Sequence, residues 1–73
     1  MEKIKDLKKG DFFTLKEIEY PNEKQVYVRG EYIREEKRYS CYKFSDVNYE
    51  RLFKGEKLVY IDFIFWFMFY VIL

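Results

Sequence analysis

A chain of 73 residues makes one domain with a small core, and a single cysteine with no histidine leaves it without a disulfide framework or a zinc-ligand pattern. The 14 basic and 13 acidic residues give a net charge of +1, so no global field draws the chain to nucleic acid. The lack of histidine also removes histidine general-base catalysis and the Ser–His and Cys–His nucleophile pairs.

The first segment, MEKIKDLKK (1–9), has apolar residues inside it only at Ile4 and Leu7, a spacing that suits one helical turn or an extended lead-in. It is charged and lacks the apolar stretch of a signal peptide, which together with the lone cysteine predicts a cytoplasmic protein. Lys9-Gly10-Asp11 is a turn signal. FFTLKEIEY (12–20) is rich in strand formers; Phe13 and Leu15 alternate while Ile18 and Tyr20 fall on the other parity, so a β-bulge is expected near Lys16-Glu17. Tyr20-Pro21-Asn22-Glu23 fits a type I turn, with proline where its fixed φ is already correct. QVYVRGEYI (25–33) predicts a strand with Val26, Val28 and Tyr32 on one parity and Tyr27, Arg29 and Glu31 on the other. Gly30 interrupts it and marks a bulge or a sharp bend. REEKR (34–38) is a charged hairpin loop and YSCYKF (39–44) the returning strand. Ser45-Asp46-Val47-Asn48 predicts a turn, or the cap of a short helical turn through Leu52. Lys54-Gly55-Glu56 is a further turn, and the last strand starts near Lys57.

The run FIFWFMFYVIL (63–73) contains no charge, glycine or proline. As a helix it would reach only about 16 Å, half a bilayer core, and Asp62 and Lys57 prevent extension backwards. Its aromatic and β-branched residues favour a strand that runs on into a subunit contact. An interfacial membrane anchor and an extension peculiar to this chain are the alternatives. Phe65, Trp66, Phe67, Met68, Phe69 and Tyr70 are the expected interface residues, with a homo-oligomer formed through the C-terminal strand.

Short strands with turns about every 8–12 residues predict an all-β fold, either a small antiparallel four- to five-stranded curled sheet or an SH3/OB-like barrel. In it 12–20, 25–33 and 39–44 form a meander and the final strand closes the sheet. A single β domain over 1–65 followed by a hydrophobic extension, 66–73, is the expected organisation. The segments LKKGDFFTL, VYVRGEYIREEKRYSCYKFSDVNYE and KGEKLVYIDF resemble small uncharacterised proteins of bacteriophages and conjugative or mobile elements of gut bacteria, over about residues 4–65. The resemblance implies a mobile-element origin and no particular chemistry. The tail from Trp66 onwards departs from that pattern.

Several chemistries lose their parts list. Cys41 has Ser40 beside it and Lys43 nearby but no base to activate it, and Glu35/Glu36 and Glu17/Glu19 are solvated loop or strand charges. Gly10, Gly30 and Gly55 are isolated, so no glycine-rich phosphate loop exists. No enzyme and no cofactor are expected. What remains is a binding surface: Tyr27, Arg29, Arg34, Arg38, Tyr39 and Tyr42 cluster on one hairpin, and all four arginines lie between 29 and 51. Tyrosine offers a face for stacking, and arginine offers phosphate forks and cation–π contacts. The competing account has the tyrosines packing the core while Arg and Glu pair across strands. The expected function is a non-enzymatic module that binds nucleic acid or a nucleotide. One alternative is a protein-interaction or anti-defence inhibitor module that grips a host protein with the tail or an edge strand. The other is a small membrane-associated protein anchored by 63–73, the least favoured of the three.

Overall fold

The computed structural model describes residues 1–65. The expected extension 66–73, with Trp66, Phe67, Met68, Phe69 and Tyr70, lies outside the described residues. Within them the protein is all-β: β1 (Glu2–Lys3), a 3-10 turn (Ile4–Asp6), β2 (Phe12–Phe13), β3 (Tyr27–Ile33), β4 (Arg38–Lys43), β5 (Asp46–Phe53) and β6 (Leu58–Val59). The leading segment is therefore both extended and helical in turn. No described helix is long and apolar enough to cross a membrane.

The strands form an antiparallel four-stranded sheet in the order β2-β3-β4-β5 and a two-stranded sheet of β1 and β6. The two are joined at Thr14 and Tyr60, whose backbones exchange N–H···O bonds of 2.9 and 3.0 Å. The curled-sheet expectation holds, but no barrel closes. Three of the strands have only two residues each, too short for the tilt and stagger that closure requires. β5 is left as an edge.

The differences from the sequence expectations have local causes. Segment 12–20 leaves the sheet after Thr14, where the Thr14 hydroxyl donates to the Lys16 carbonyl at 2.6 Å and bends the chain; this, not a bulge in a long strand, explains the change of parity. The next turn sits at Asn22–Gln25, two residues later than the proline suggests. There the Asn22 side chain accepts from the Lys24 N–H at 2.9 Å, and the Gln25 N–H donates to the Asn22 carbonyl at 3.0 Å. Of the two readings of 45–48, the turn forms, one residue earlier as the two-residue Phe44-Ser45 turn, and the helical cap does not, because Asp46 opens the longest strand. Asp46 does use its carboxylate locally, accepting from the Asn48 N–H at 3.0 Å. That bond lies where the β4–β5 register shifts between Tyr42↔Glu50 and Lys43↔Asp46, so it holds a bulge rather than starting a helix.

Gly30 sits where the β3–β4 register shifts between Arg29↔Cys41 and Tyr32↔Tyr39. Its φ is not positive. A Cβ built on it would stand 2.4 Å from the Ser40 carbonyl oxygen, so close backbone approach is what demands glycine here.

The core lies on one face of the large sheet. Phe13 stacks on Tyr27 at 5.7 Å, and Phe53 meets both edge-on at 6.2 and 6.1 Å. Ile4, Leu7, Cys41 and Val59 complete it. Fully burying each of the larger side chains contributes about 1.5–3 kcal/mol. Because neighbours on a strand point to opposite faces, Phe12 looks the other way and joins Phe44 and Phe65 in an edge-on aromatic trio with centroids 5.0–5.9 Å apart. Phe65, expected as an interface residue, is thus buried within its own chain at 2% exposure. The chain reaches that position through an Ile64 N–H bond to the Glu19 carbonyl at 2.9 Å.

Candidate nucleic-acid interface

One residue of slippage at Gly30 decides which tyrosines meet. Before it, Tyr27 and Arg29 share a face; after it, the parity inverts and Tyr32 joins that same face directly opposite Tyr39. The two rings touch with centroids 4.9 Å apart and planes at 57°. The Arg29 guanidinium lies 4.2 Å from the Tyr39 ring centre, a cation–π contact on the core side of the pair. Its Nε is buried without a hydrogen-bond partner.

Tyr32 and Tyr39 floor an open cleft of about 580 Å3. Its walls come from three turns. The 34–37 turn supplies Glu36 and Lys37, the latter in a left-handed conformation with φ 54°. The turn after β5 supplies Lys54, Gly55 and Glu56, and the 3-10 turn supplies Lys5. Arg38 opens β4 at the rim. Gly55 is closely packed: a Cβ there would stand 3.1 Å from both the Tyr39 ring edge and the Lys5 Cβ. Tyr32 remains 49% exposed, which leaves a ring face for a ligand.

The charges around the floor are unequal. Lys5, Lys37, Arg38 and Lys54 face Glu36 and Glu56. Glu56 accepts from Lys5 at 2.7 Å and pairs with Lys3 at 3.0 Å. The hydrogen bond from Lys5, reinforced by Lys3, holds the Glu56 carboxyl below the usual carboxylate range, and Glu56 in turn raises Lys5. Both groups stay charged at neutral pH, and the pairs are exposed, hence weak and screened by salt.

The six site residues expected from sequence are separated. Arg38 and Tyr39 line the cleft, and Arg29 braces Tyr39 from behind. Tyr27 is 5% exposed inside the core trio, where Phe13 and Phe53 occupy its ring faces and edges, so it is a packing residue. Tyr42 pairs with Val28 and Glu50 and points to the opposite face, beside Phe12 and Phe44. Arg34 is exposed in the turn and does not line the cleft. Sequence reasoning placed Tyr32 in the same strand without selecting it as a site residue, and missed Lys37, Lys54 and Lys5. The signal for Tyr32 was the Gly30 bulge itself, which shifts every later side chain by one face; the lysines converge only through the turns that carry them.

Cys41 is fully buried on β4, and its thiol lies 3.9 Å from the Tyr39 carbonyl. Burial pushes its pKa up, so it is a core thiol rather than a nucleophile. No protein-family model matches the chain, and neither a curated protein nor a solved structure matches it.

Proposed function

We propose that the chain is a non-enzymatic binding module that takes an unpaired nucleotide, free or within a single strand, in the Tyr32–Tyr39 cleft. The observation that carries this reading is an aromatic pair, Tyr32 exposed and Tyr39 half-buried against the core, in a cleft also lined by Lys5, Lys37, Arg38 and Lys54. The rings are in mutual contact, which leaves no gap for a base between them; a base stacks on the outer face of Tyr32 while the rim cations take its phosphates. The cleft volume falls within the range of about 300–1,000 Å3 common for small-ligand sites. A duplex offers no free base face and is a poorer ligand. The resemblance over about residues 4–65 supports a phage or mobile-element origin for such a module.

Fluorescence anisotropy with labelled single strands, duplexes and nucleotides at low salt tests the reading. Single strands should bind more tightly than duplexes of equal length, with affinity falling as salt rises. Tyr32→Ala should remove about 1–3 kcal/mol of binding. No binding by any of these ligands overturns the proposal.

A second reading rests on β5. It is the outer strand of the sheet, and seven of its eight residues are exposed. Such an edge can accept an extended segment of another protein. The bulge at its start and its charges Asp46, Glu50 and Arg51 oppose that use, which is why the cleft is preferred.

A further inference from the structure

Glu56 stands at the centre of a small ionic arrangement, paired with both Lys3 and Lys5. It ties the first turn of the chain to the turn before β6 through Lys3 and Lys5. The same two turns are already joined by backbone bonds, from the Ile4 N–H to the Lys57 carbonyl at 3.0 Å and from the Lys5 N–H to the Gly55 carbonyl at 3.1 Å. The carboxylate is 66% exposed and lines the cleft together with Lys5. Two ammonium groups converge on this one anion: Lys5 lines, with Glu56, the site that the preceding reading assigns to nucleotides, and Lys3 reaches the same carboxylate from outside the lining.

We infer that Lys3 and Lys5 form a subsite for a terminal phosphate monoester, occupied in the free protein by the Glu56 carboxylate, which the ligand displaces. The inference rests on the reading of the cleft as a nucleotide site. Its chemistry is one of charge. A carboxylate carries one negative charge, and an internal phosphodiester also carries one, so replacing Glu56 by an internal phosphate gains little. A terminal phosphate monoester carries about −1.5 to −2 at neutral pH, with three strong acceptor oxygens. It therefore outcompetes the carboxylate for two ammonium groups, and exposed ion pairs are weak enough to be exchanged. Glu56 thereby acts as a filter. It selects strands and nucleotides that carry a phosphate at an end over the continuous backbone of a longer strand.

The test is an anisotropy titration of the full chain with short oligothymidylates carrying either a phosphate or a hydroxyl at one end and the label at the other, with each end tried in turn. Wild type should prefer the phosphate at one end by at least about threefold, and Lys3→Ala/Lys5→Ala should lose that preference. Glu56→Gln should tighten the hydroxyl-ended strand by about two- to tenfold and shrink the preference. Glu31→Gln is the control for overall charge. It removes an equivalent exposed carboxylate, paired with Lys9 outside the cleft, and should leave both affinities within twofold of wild type, roughly the limit for a rim charge. Equal tightening by Glu31→Gln and Glu56→Gln, or no end-phosphate preference in wild type, overturns the filter while binding of hydroxyl-ended strands leaves the cleft reading standing. Failure of every strand to bind both wild type and Glu56→Gln overturns both.

Discussion

Placing a single methyl group on Gly30 tests the bulge on which the cleft depends. A Cβ at that position would lie 2.4 Å from the Ser40 carbonyl oxygen, against 3.4 Å or more for ordinary contact. The obstructing atom belongs to the backbone of the neighbouring strand, so no rotamer change relieves the clash. β3 and β4 must part by about 1 Å at a point where strands normally lie about 4.7–4.9 Å apart. Overpacking of this kind costs about 1–3 kcal/mol. For a domain of this size that lowers Tm by at least about 4 °C, since each kcal/mol is worth about 4–8 °C. Gly30→Ala is sufficient, because the penalty is steric and not a matter of positive φ. Thermal unfolding followed by circular dichroism reads the loss directly. A Tm within about 2 °C of wild type would refute the argument, because it leaves room for only a fraction of 1 kcal/mol. The same variant should weaken oligonucleotide binding, since the Tyr32–Tyr39 pair begins two residues beyond the bulge.

Further outcomes follow from other parts of the molecule. The hydrogen bond from Lys5 and the pairing with Lys3 lower the Glu56 pKa, so this carboxylate contributes stability above its unfolded pKa of about 4.3 and loses it as the pH falls through the lowered folded value. Glu56→Gln should therefore flatten the acid limb of the stability profile, and an unchanged slope below about pH 4.3 contradicts the pairing. Buried Cys41, its pKa raised, should resist a thiol reagent in the native protein and react on unfolding; fast native labelling would place it at the surface. The segment WFMFYVIL (66–73) adds large apolar side chains, each worth roughly 1.5–3 kcal/mol if buried between subunits. The full chain should then form dimers or larger species in light scattering while a chain ending at Phe65 moves toward monomer; two monomers at equal concentration would remove self-association through the tail.

How legible these features were in the sequence depended on how locally each is determined. The turns at Lys9-Gly10-Asp11 and Lys54-Gly55-Glu56 rest on residue chemistry within a few positions and are legible, as is the 34–38 loop apart from Arg38, which opens β4. β5 was missed because Asp46 and Asn48 carry cap chemistry, and their local bond does form; pairing of Tyr39, Ser40 and Cys41 with Phe53, Leu52 and Arg51 overrides it from a distance. Segment 12–20 was overextended because strand propensity does not report that Thr14 turns its hydroxyl back onto Lys16. Tyr27 looked available because period-two alternation places it beside Arg29, which is true. Alternation alone does not say that this face is the core at Tyr27 and the cleft floor at Tyr32, beyond the Gly30 bulge. Phe65 belonged to an apolar run that suggested a contact between chains, whereas Phe12 and Phe44 supply its partners within one. The cleft itself gathers residues from three separate turns, and no pattern within one segment announces that.

The most direct test of the central claim is to locate the ligand. In backbone amide NMR spectra of the full chain titrated with a short single-stranded oligonucleotide, the largest shift changes should map to Tyr32, Lys37, Arg38, Tyr39, Lys54, Gly55 and Lys5, with Tyr42 and the exposed stretch of β5 unmoved. Changes centred on β5, or on the Phe12–Tyr42 face, would contradict the account.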